Sequence, residues 1–218
     1  MIKVAPSILA ADPLNLERDA RRAEAAGCDW LHVDVMDAHF VPNLAYTPET
    51  VRRLKQVMRV PLDVHLMMDH PETLMDAFLE AGADVLTIHA EIGGDVPALL
   101  RRIRKAGAKA GVAMKPGTGA DRIAAYRDEA DLILTMTVEP GFGGQKLDGS
   151  VPEKMKEIRR QGYTGLIEAD GGLREDNLQW LADCGLDVAV MGTSLFRAAD
   201  MEAAIARIHR MERAGEIR

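Results

Sequence analysis

The chain has 218 residues, 47% of them hydrophobic, a size that suits one large or two small globular domains. Its formal net charge of -7 argues against a nucleic-acid-binding surface and against an anionic membrane as a partner. The two cysteines, Cys28 and Cys184, are too few for a disulfide scaffold. Because the amino terminus has the pattern of a strand, not of a signal peptide, and no apolar run could span a bilayer, we expect a cytoplasmic protein.

Eight short aliphatic runs alternate with longer amphipathic stretches along the chain. The runs are residues 3–9, 30–35, 62–67, 85–90, 109–114, 132–138, 165–169 and 188–192. Such runs are typical of parallel strands that are buried on both faces. The stretches between them are predicted helices, and a polar residue with a proline marks three of their starts at Asp12-Pro13, Thr47-Pro48 and Asp69-His70-Pro71.

A phrase made of a helix stop, an aspartate and a strand start recurs along the chain. Its copies contain Asp29, Asp84, Asp131 and Asp187. Since one strand–helix unit of an eightfold barrel takes roughly 25–30 residues, these aspartates mark every second strand. The sequence therefore predicts one (β/α)8 barrel over residues 1–218. A doubly wound open sheet is the competing architecture, but residues 7–12 lack the glycine-rich fingerprint that usually follows its first strand.

Polar residues stand at the carboxyl ends of several predicted strands, where barrels of this type carry their chemistry. His32 and Asp34 lie two residues apart on the second strand, His65 lies on the third, and Asp170 ends the seventh. Side chains two apart point to the same side of a strand, so these four can converge if that side faces the barrel axis. Two imidazoles and two carboxylates form a ligand set suited to zinc, iron, cobalt or manganese.

Glycine-rich segments follow the sixth, seventh and eighth predicted strands. They contain Gly141, Phe142, Gly143 and Gly144, then Gly171 and Gly172, then Gly192 and Thr193. Glycine lets backbone N–H groups approach an anion closely, and barrels often bind phosphate with the loops of their last strands. Together the three segments predict a phosphate-binding site.

Further residues at the strand ends could support such a site. Met36, Met67 and Met136 lie close to the predicted metal ligands, and we hypothesise that they form an apolar, polarisable wall beside a reactive carbanion. His89, at the end of the fourth strand, is interpreted as a hydrogen-bonded rim histidine without a function. The sequence assigns no role to Lys115.

Six ordered segments resemble the ribulose-phosphate 3-epimerase family over essentially the whole chain. They are residues 5–9, 32–37, 39–44, 63–67, 136–145 and 170–172. The resemblance implies that His32, Asp34, His65 and Asp170 ligate one divalent metal ion per subunit. It also implies that Asp34 and Asp170 are the paired acid and base, and that Ser7, His65, Asp170 and the glycine segments hold the substrate.

The same resemblance implies the reaction. The family interconverts D-ribulose 5-phosphate and D-xylulose 5-phosphate in the pentose phosphate pathway, by proton transfer at C3 through a metal-stabilised cis-enediolate. Its members form homo-oligomers, so we expect self-association here. Ala10 and Ala169 depart from the residues common in the family. These departures leave open a six-carbon ketose phosphate such as D-allulose 6-phosphate.

Three other functions compete with this interpretation. A decarboxylase of the orotidine type uses an Asp-x-Lys-x-x-Asp strand end, but residues 34–37 contain no lysine. A metallohydrolase commonly carries a His-x-His pair on its first strand, where only Ser7 stands. A non-catalytic sugar-phosphate-binding barrel would need the phosphate loops but neither the metal ligands nor the paired aspartates.

Overall fold

Eight parallel strands curl into a closed ring in the computed structural model, which describes residues 1–211. The strands are β1 (Lys3–Pro6), β2 (Leu31–Asp37), β3 (Leu62–Met67), β4 (Val85–His89), β5 (Lys109–Met114), β6 (Leu132–Met136), β7 (Leu166–Asp170) and β8 (Val188–Met191). Consecutive strands from β2 to β8 pair in parallel, and β8 pairs with β1. A bridge between Ser7 and His32 closes the ring. The predicted α/β barrel is confirmed, and all eight predicted strands are present.

Helices cover the outside of the ring. They are α1 (Leu16–Ala25), α2 (Pro48–Val57), α3 (Met75–Ala81), α4 (Val96–Lys105), α5 (Val151–Arg160), α6 (Glu175–Asp183), α7 (Thr193–Phe196) and α8 (Met201–His209). Between β5 and β6 the chain forms a 3-10 helix, Ala120–Ala125, where an α-helix was expected. Residues 212–218, the end of the predicted barrel domain, lie outside the described residues. Within residues 1–211, no helix combines the length and the apolar character needed to cross a membrane.

Of the three predicted helix starts, only the one at Thr47-Pro48 coincides with the start of an α-helix. Thr47 is the N-cap of α2, and its hydroxyl accepts the N–H of Thr50. The start predicted at Asp12-Pro13 is wrong, because α1 begins only at Leu16. Asp12 instead accepts the N–H of Leu14 with its side chain and so stabilises a turn ahead of the helix. The proline at Asp69-His70-Pro71 opens a three-residue 3-10 helix, Pro71–Thr73, before α3.

The repeated aspartates tie pairs of strands together at their amino-terminal ends. Each stands just before an even-numbered strand, and its carboxylate accepts the N–H of a residue near the start of the preceding strand. The pairs are Asp29 with Val4, Asp84 with Leu62, Asp131 with Ala110 and Asp187 with Ile167, at 2.8–2.9 Å. The prediction that they mark every second strand is confirmed. Their contacts lie at the end of the barrel opposite its carboxyl-terminal rim.

Two apolar clusters support the carboxyl-terminal end of the barrel. The larger one lies between the strands and the surrounding helices and includes Val33, Val64 and Phe78. The second includes Trp30, Leu132 and other side chains on the inward face of the strands. Apolar side chains of this inward cluster fill the interior of the barrel, so the polar groups nearer the carboxyl ends of the strands lie on a packed apolar core.

Candidate metal centre and active site

The inward-facing polar residues of β2 and β3 lie side by side in layers. The parallel register aligns His32 with Asp63, Asp34 with His65 and Met36 with Met67. On the far side of the ring, β7 carries Asp170 in register with Met136 of β6 and Val190 of β8. Because side chains alternate along a strand, each layer sits one step deeper in the barrel than the next.

The four residues predicted to ligate a metal lie close together and come from two neighbouring layers. His32, Asp34, His65 and Asp170 each offer an atom, and these atoms all lie within 4.8 Å of one another. Both histidines are fully buried, Asp34 is nearly so, and Asp170 is partly exposed. Nε2 of His32 lies 3.3 Å from Oδ1 of Asp34 and has no hydrogen-bond partner among the described residues. Such an orphaned buried nitrogen beside two carboxylates fits a metal ion, and the cluster can hold one.

Asp34 is held by three polar neighbours. The hydroxyl of Ser7 donates to its Oδ2 at 2.6 Å, and Nδ1 of His65 lies 3.3 Å from its Oδ1. Burial would raise the pKa of Asp34, but the two adjacent histidines, His32 and His65, lower it below its ordinary value. Asp34 is therefore ionised at neutral pH. Ser7 lines the cavity, as expected of a substrate contact, but its hydroxyl is engaged with Asp34.

Asp170 is shifted in the opposite direction. Burial, together with the negative charge of Asp34, raises the pKa of Asp170 to about 7. Two carboxyl groups whose surroundings move their pKa values apart can serve as base and acid at the same pH. This pair has that property.

Two buried carboxyl groups, Asp63 and Glu168, lie beside His32 below the predicted metal-ligand cluster, and the sequence reasoning missed them. Oδ2 of Asp63 lies 2.5 Å from Nδ1 of His32. Glu168 is fully buried, and within residues 1–211 neither of its carboxyl oxygens has a hydrogen-bond partner. Burial and the nearby Asp63 raise the pKa of Glu168 well above its ordinary value, so this group is neutral. Asp63 accepts the Nδ1–H of His32, which turns Nε2 toward the metal position.

The alternation of side chains along each strand could have identified Asp63 and Glu168. Asp63 precedes His65 by two positions, and Glu168 precedes Asp170 by two. The rule that placed His32 and Asp34 on one face also places these carboxyl groups on the inward face, one layer deeper.

A cavity of about 690 Å³ opens above the metal-ligand cluster. Asp34 and Asp170 lie in its wall, as do the three methionines of the hypothesised apolar wall, Met36, Met67 and Met136. The wall also includes every residue of the predicted phosphate-binding segments: Gly141, Phe142, Gly143, Gly144, Gly171, Gly172, Gly192 and Thr193. His65 is fully buried and is not among the described lining residues, so the expected contact between His65 and a substrate has no support here.

The loops after β6 and β7 pack directly on each other at Gly172. Its φ is +66°, and a Cβ there would lie 2.5 Å from the backbone nitrogen of Leu147 and 2.8 Å from the carbonyl oxygen of Gln145. Thr137 fixes the same loop, since its hydroxyl donates to the carbonyl groups of Asp170, at 2.8 Å, and Gly171. Glycine at 172 is therefore needed for both the backbone conformation and the close approach.

His89, interpreted from the sequence as a hydrogen-bonded rim histidine, has partners at both of its ring nitrogens, and one of them is the predicted metal ligand His65. His89 is fully buried, and its Nε2 lies 2.8 Å from Nε2 of His65. Its Nδ1 lies 3.1 Å from Oε2 of Glu91. Lys115, to which the sequence assigned no role, places its Nζ 4.0 Å from the centre of the Phe40 ring, which itself packs against His89.

Comparison with known proteins places this geometry in context. The chain matches the model of the ribulose-phosphate 3 epimerase family over residues 3–196. It is 41% identical over 213 residues to a ribulose-phosphate 3-epimerase of Bacillus subtilis (strain 168), covering 95% of this chain and 98% of that protein. It is 44% identical over 202 residues to the ribulose-phosphate 3-epimerase of Rhodobacter capsulatus, covering 92% and 88%. Among solved structures, KGPDC from Streptococcus mutans shares the fold at 14% identity, with a TM-score of 0.73 and coverage of 97% and 99%.

Proposed function

The chain belongs to the ribulose-phosphate 3-epimerase family, and from that premise we propose that it interconverts D-ribulose 5-phosphate and D-xylulose 5-phosphate. It is an isomerase, which removes the alternative of a non-catalytic binding barrel. The observation that supports the reaction best is the pair of carboxyl groups, Asp34 and Asp170, which share one ligand cluster and have pKa values shifted in opposite directions.

Epimerisation at C3 needs two groups that exchange protons with the substrate. The C3 proton is acidified by the neighbouring C2 ketone, and inversion requires its removal from one face and the return of a proton on the other. Asp34, ionised and fixed by Ser7, serves as the base in one direction. Asp170, which holds its proton up to about pH 7, serves as the acid. In the reverse direction the two exchange roles.

The residues that would hold a metal are His32, Asp34, His65 and Asp170, and the ion is one zinc, iron, cobalt or manganese ion per subunit. A bound divalent ion would supply positive charge that stabilises the negative charge developing on the substrate oxygens. Ser7 and Asp63 act from outside this set, because each hydrogen-bonds one of the ligands and fixes its orientation.

The glycine segments after β6, β7 and β8 would bind the phosphate group. They line the same cavity as the two carboxyl groups, so a phosphate bound by their N–H groups keeps C3 within reach of both. Binding energy from this remote group is then used to orient the reacting carbon.

The proposal is tested by kinetics with two sugars and with metal removal. We expect turnover of D-ribulose 5-phosphate that is lost after treatment with a chelator and is restored by zinc, cobalt or manganese. D-allulose 6-phosphate, assayed in parallel, tests the six-carbon alternative. A kcat/KM for D-allulose 6-phosphate at least ten times that for the pentose would overturn the proposed substrate, and full turnover in the chelator-treated protein would overturn the metal.

A further inference from the structure

His65 has one nitrogen for the metal cluster and one for a hydrogen-bonded chain that leads outward. Its Nδ1 lies 3.3 Å from Oδ1 of Asp34, and its Nε2 lies 2.8 Å from Nε2 of His89. A neutral imidazole carries a proton on only one nitrogen, so the tautomer decides which atom offers a lone pair to a metal. Whatever sets the proton on Nε2 therefore prepares Nδ1 as a ligand.

Glu91 sets the direction of this chain. Its Oε1 accepts the backbone N–H of Lys115 at 2.8 Å and the hydroxyl proton of Thr118. Burial would raise the pKa of Glu91, but the hydrogen bonds from His89, Thr118 and Lys115 lower it to about 2. An ionised carboxylate can only accept hydrogen bonds, so Oε2 of Glu91 must receive a proton from Nδ1 of His89.

The remaining assignment follows from one nitrogen to the next. With its proton on Nδ1, His89 has a lone pair on Nε2, and this lone pair accepts the Nε2–H of His65. His65 then has its lone pair on Nδ1, on the side of the metal cluster. His32 has the opposite arrangement, because Asp63 accepts its Nδ1–H and leaves Nε2 for the metal.

The chain is built into the fold. His89 is fully buried on β4, and the Phe40 ring packs against it with 4.4 Å between ring centres. Glu91 is anchored on the next strand's loop by Lys115 and Thr118, so it cannot turn away without losing both hydrogen bonds. A surface pair with the same spacing, His70 and Glu72, is exposed and touches no part of the cluster.

We propose that Glu91 and His89 are positioning residues that fix His65 as its Nε2–H tautomer, so that Nδ1 is presented to the metal. The inference rests on the metal site proposed above. Neither residue belongs to the ligand set, and they act only through His65. Outer partners of metal-ligating histidines typically change metal affinity by about 10- to 100-fold when they are replaced.

Four variants separate this role from a merely structural one. In Glu91→Gln the amide oxygen stays with the two fixed donors, the amide NH2 faces His89, and the direction of the whole chain reverses. His89→Leu removes the acceptor for His65, whereas His89→Gln can return a carbonyl oxygen near the position of Nε2. Glu72→Gln makes the same chemical change in the surface pair and is the matched control.

The first readout is the affinity for Zn²⁺ alone, measured by competition with a chromophoric chelator. We expect the Zn²⁺ dissociation constant to rise about 10- to 100-fold in Glu91→Gln and His89→Leu, to recover most of that loss in His89→Gln, and to stay unchanged in Glu72→Gln. Values for Glu91→Gln and His89→Leu within twofold of the parent protein would overturn the proposal.

The second readout is the tautomer of His65, measured from two-bond 1H–15N correlations of the ring. We expect the proton on Nε2 of His65 and on Nδ1 of His89 in the Zn²⁺-loaded parent protein. A proton on Nδ1 of His65, or on Nε2 of His89, in the Zn²⁺-loaded protein would overturn the inference. This spectrum needs no substrate, so its result stands apart from failure of the proposed function, which would appear as a parent protein that binds Zn²⁺ without turnover; failure of the proposed metal site would appear as a parent protein that does not bind Zn²⁺.

Discussion

Replacing Gly172 by alanine tests how the two substrate loops are packed. The left-handed backbone at φ +66° costs a non-glycine residue roughly 1–2 kcal/mol. The added Cβ would also meet the backbone nitrogen of Leu147 at 2.5 Å and the carbonyl oxygen of Gln145 at 2.8 Å, contacts that only a shift of the loop can relieve. Overpacking of this kind costs about 1–3 kcal/mol, so we expect the free energy of unfolding to fall by about 2–5 kcal/mol.

The same shift moves the glycine segments, which we propose bind the phosphate group, relative to Asp34 and Asp170. A displacement near 1 Å at a positioning group can cost about 100-fold in rate, so we expect kcat/KM of Gly172→Ala to fall about 10- to 100-fold. Gly94→Ala is the control, because Gly94 has φ +86°, has no atom within 4 Å of its Cβ position, and lies outside the lining residues of the cavity. Urea denaturation and steady-state kinetics measure both. If Gly172→Ala lost no more stability than Gly94→Ala and kept its kcat/KM, the close packing of the loops would be refuted.

Three further predictions concern the proposed acid Asp170, the methionines and the repeated aspartates. The folded-state pKa of Asp170, about 7, lies above its unfolded value of 3.8, so the stability that this group contributes is present below pH 3.8 and is lost as the pH rises through 7. In chelator-treated protein at pH 8, the free energy of unfolding of Asp170→Asn should therefore exceed that of the parent protein by on the order of 4 kcal/mol. At pH 3.5 the two proteins should be equally stable. Equal urea midpoints at pH 8 would contradict the raised pKa of Asp170. The methionines of the hypothesised wall are Met36, Met67 and Met136. If this polarisable wall acts on the carbanion, replacing each one singly by leucine should lower kcat about 2- to 10-fold. Unchanged turnover in all three variants would remove the hypothesis. Asp29→Ala leaves the N–H of Val4 without its acceptor, and we expect the free energy of unfolding, measured by urea denaturation, to fall by about 1.5–3 kcal/mol. Asp128→Ala is the control, because this side chain is 87% exposed and its loss should change the stability almost not at all. Equal urea midpoints for the two variants would mean that the repeated aspartates do not stabilise the barrel.

Much of the fold could be predicted because its signals are local. Buried parallel strands are short aliphatic runs, and the runs at 62–67 and 109–114 coincide with β3 and β5. The aspartate phrase gave the spacing of strand pairs, and the structure supplies its cause in the bond from each carboxylate to the preceding strand. The start of α1 was misplaced because Asp12-Pro13 fits a turn as well as a helix start.

The four predicted metal ligands of the candidate site could be found from the sequence, but the buried carboxyl groups beside them were missed. His32, Asp34, His65 and Asp170 stand out as polar residues at strand ends, and the alternation of side chains suffices to bring them together. The same alternation places Asp63 and Glu168 on the inward face, but each is a single carboxyl group within an aliphatic strand. No neighbouring residue in the sequence marked them as part of a site, so they were missed.

The outer chain could not be predicted from spacing alone. His89 and Glu91 form the same His-x-Glu pattern as the exposed pair His70 and Glu72. Only the tertiary contact between the two side chains, with Nε2 of His89 2.8 Å from Nε2 of His65, separates a positioning pair from a surface ion pair. Tertiary neighbours, not local sequence, carry that information.

The most direct test of the central claim is proton exchange at C3. Metal-loaded protein is incubated with D-ribulose 5-phosphate in D2O, the sugar is followed by NMR, and Asp170→Asn is the control. We predict that D-xylulose 5-phosphate forms with deuterium at C3, and that Asp170→Asn, which keeps the shape of the side chain but cannot act as an acid, loses this conversion by at least about 100-fold. Absence of exchange at C3 in the metal-loaded parent protein, or exchange at the parent rate in Asp170→Asn, would contradict two-carboxylate epimerisation at this site.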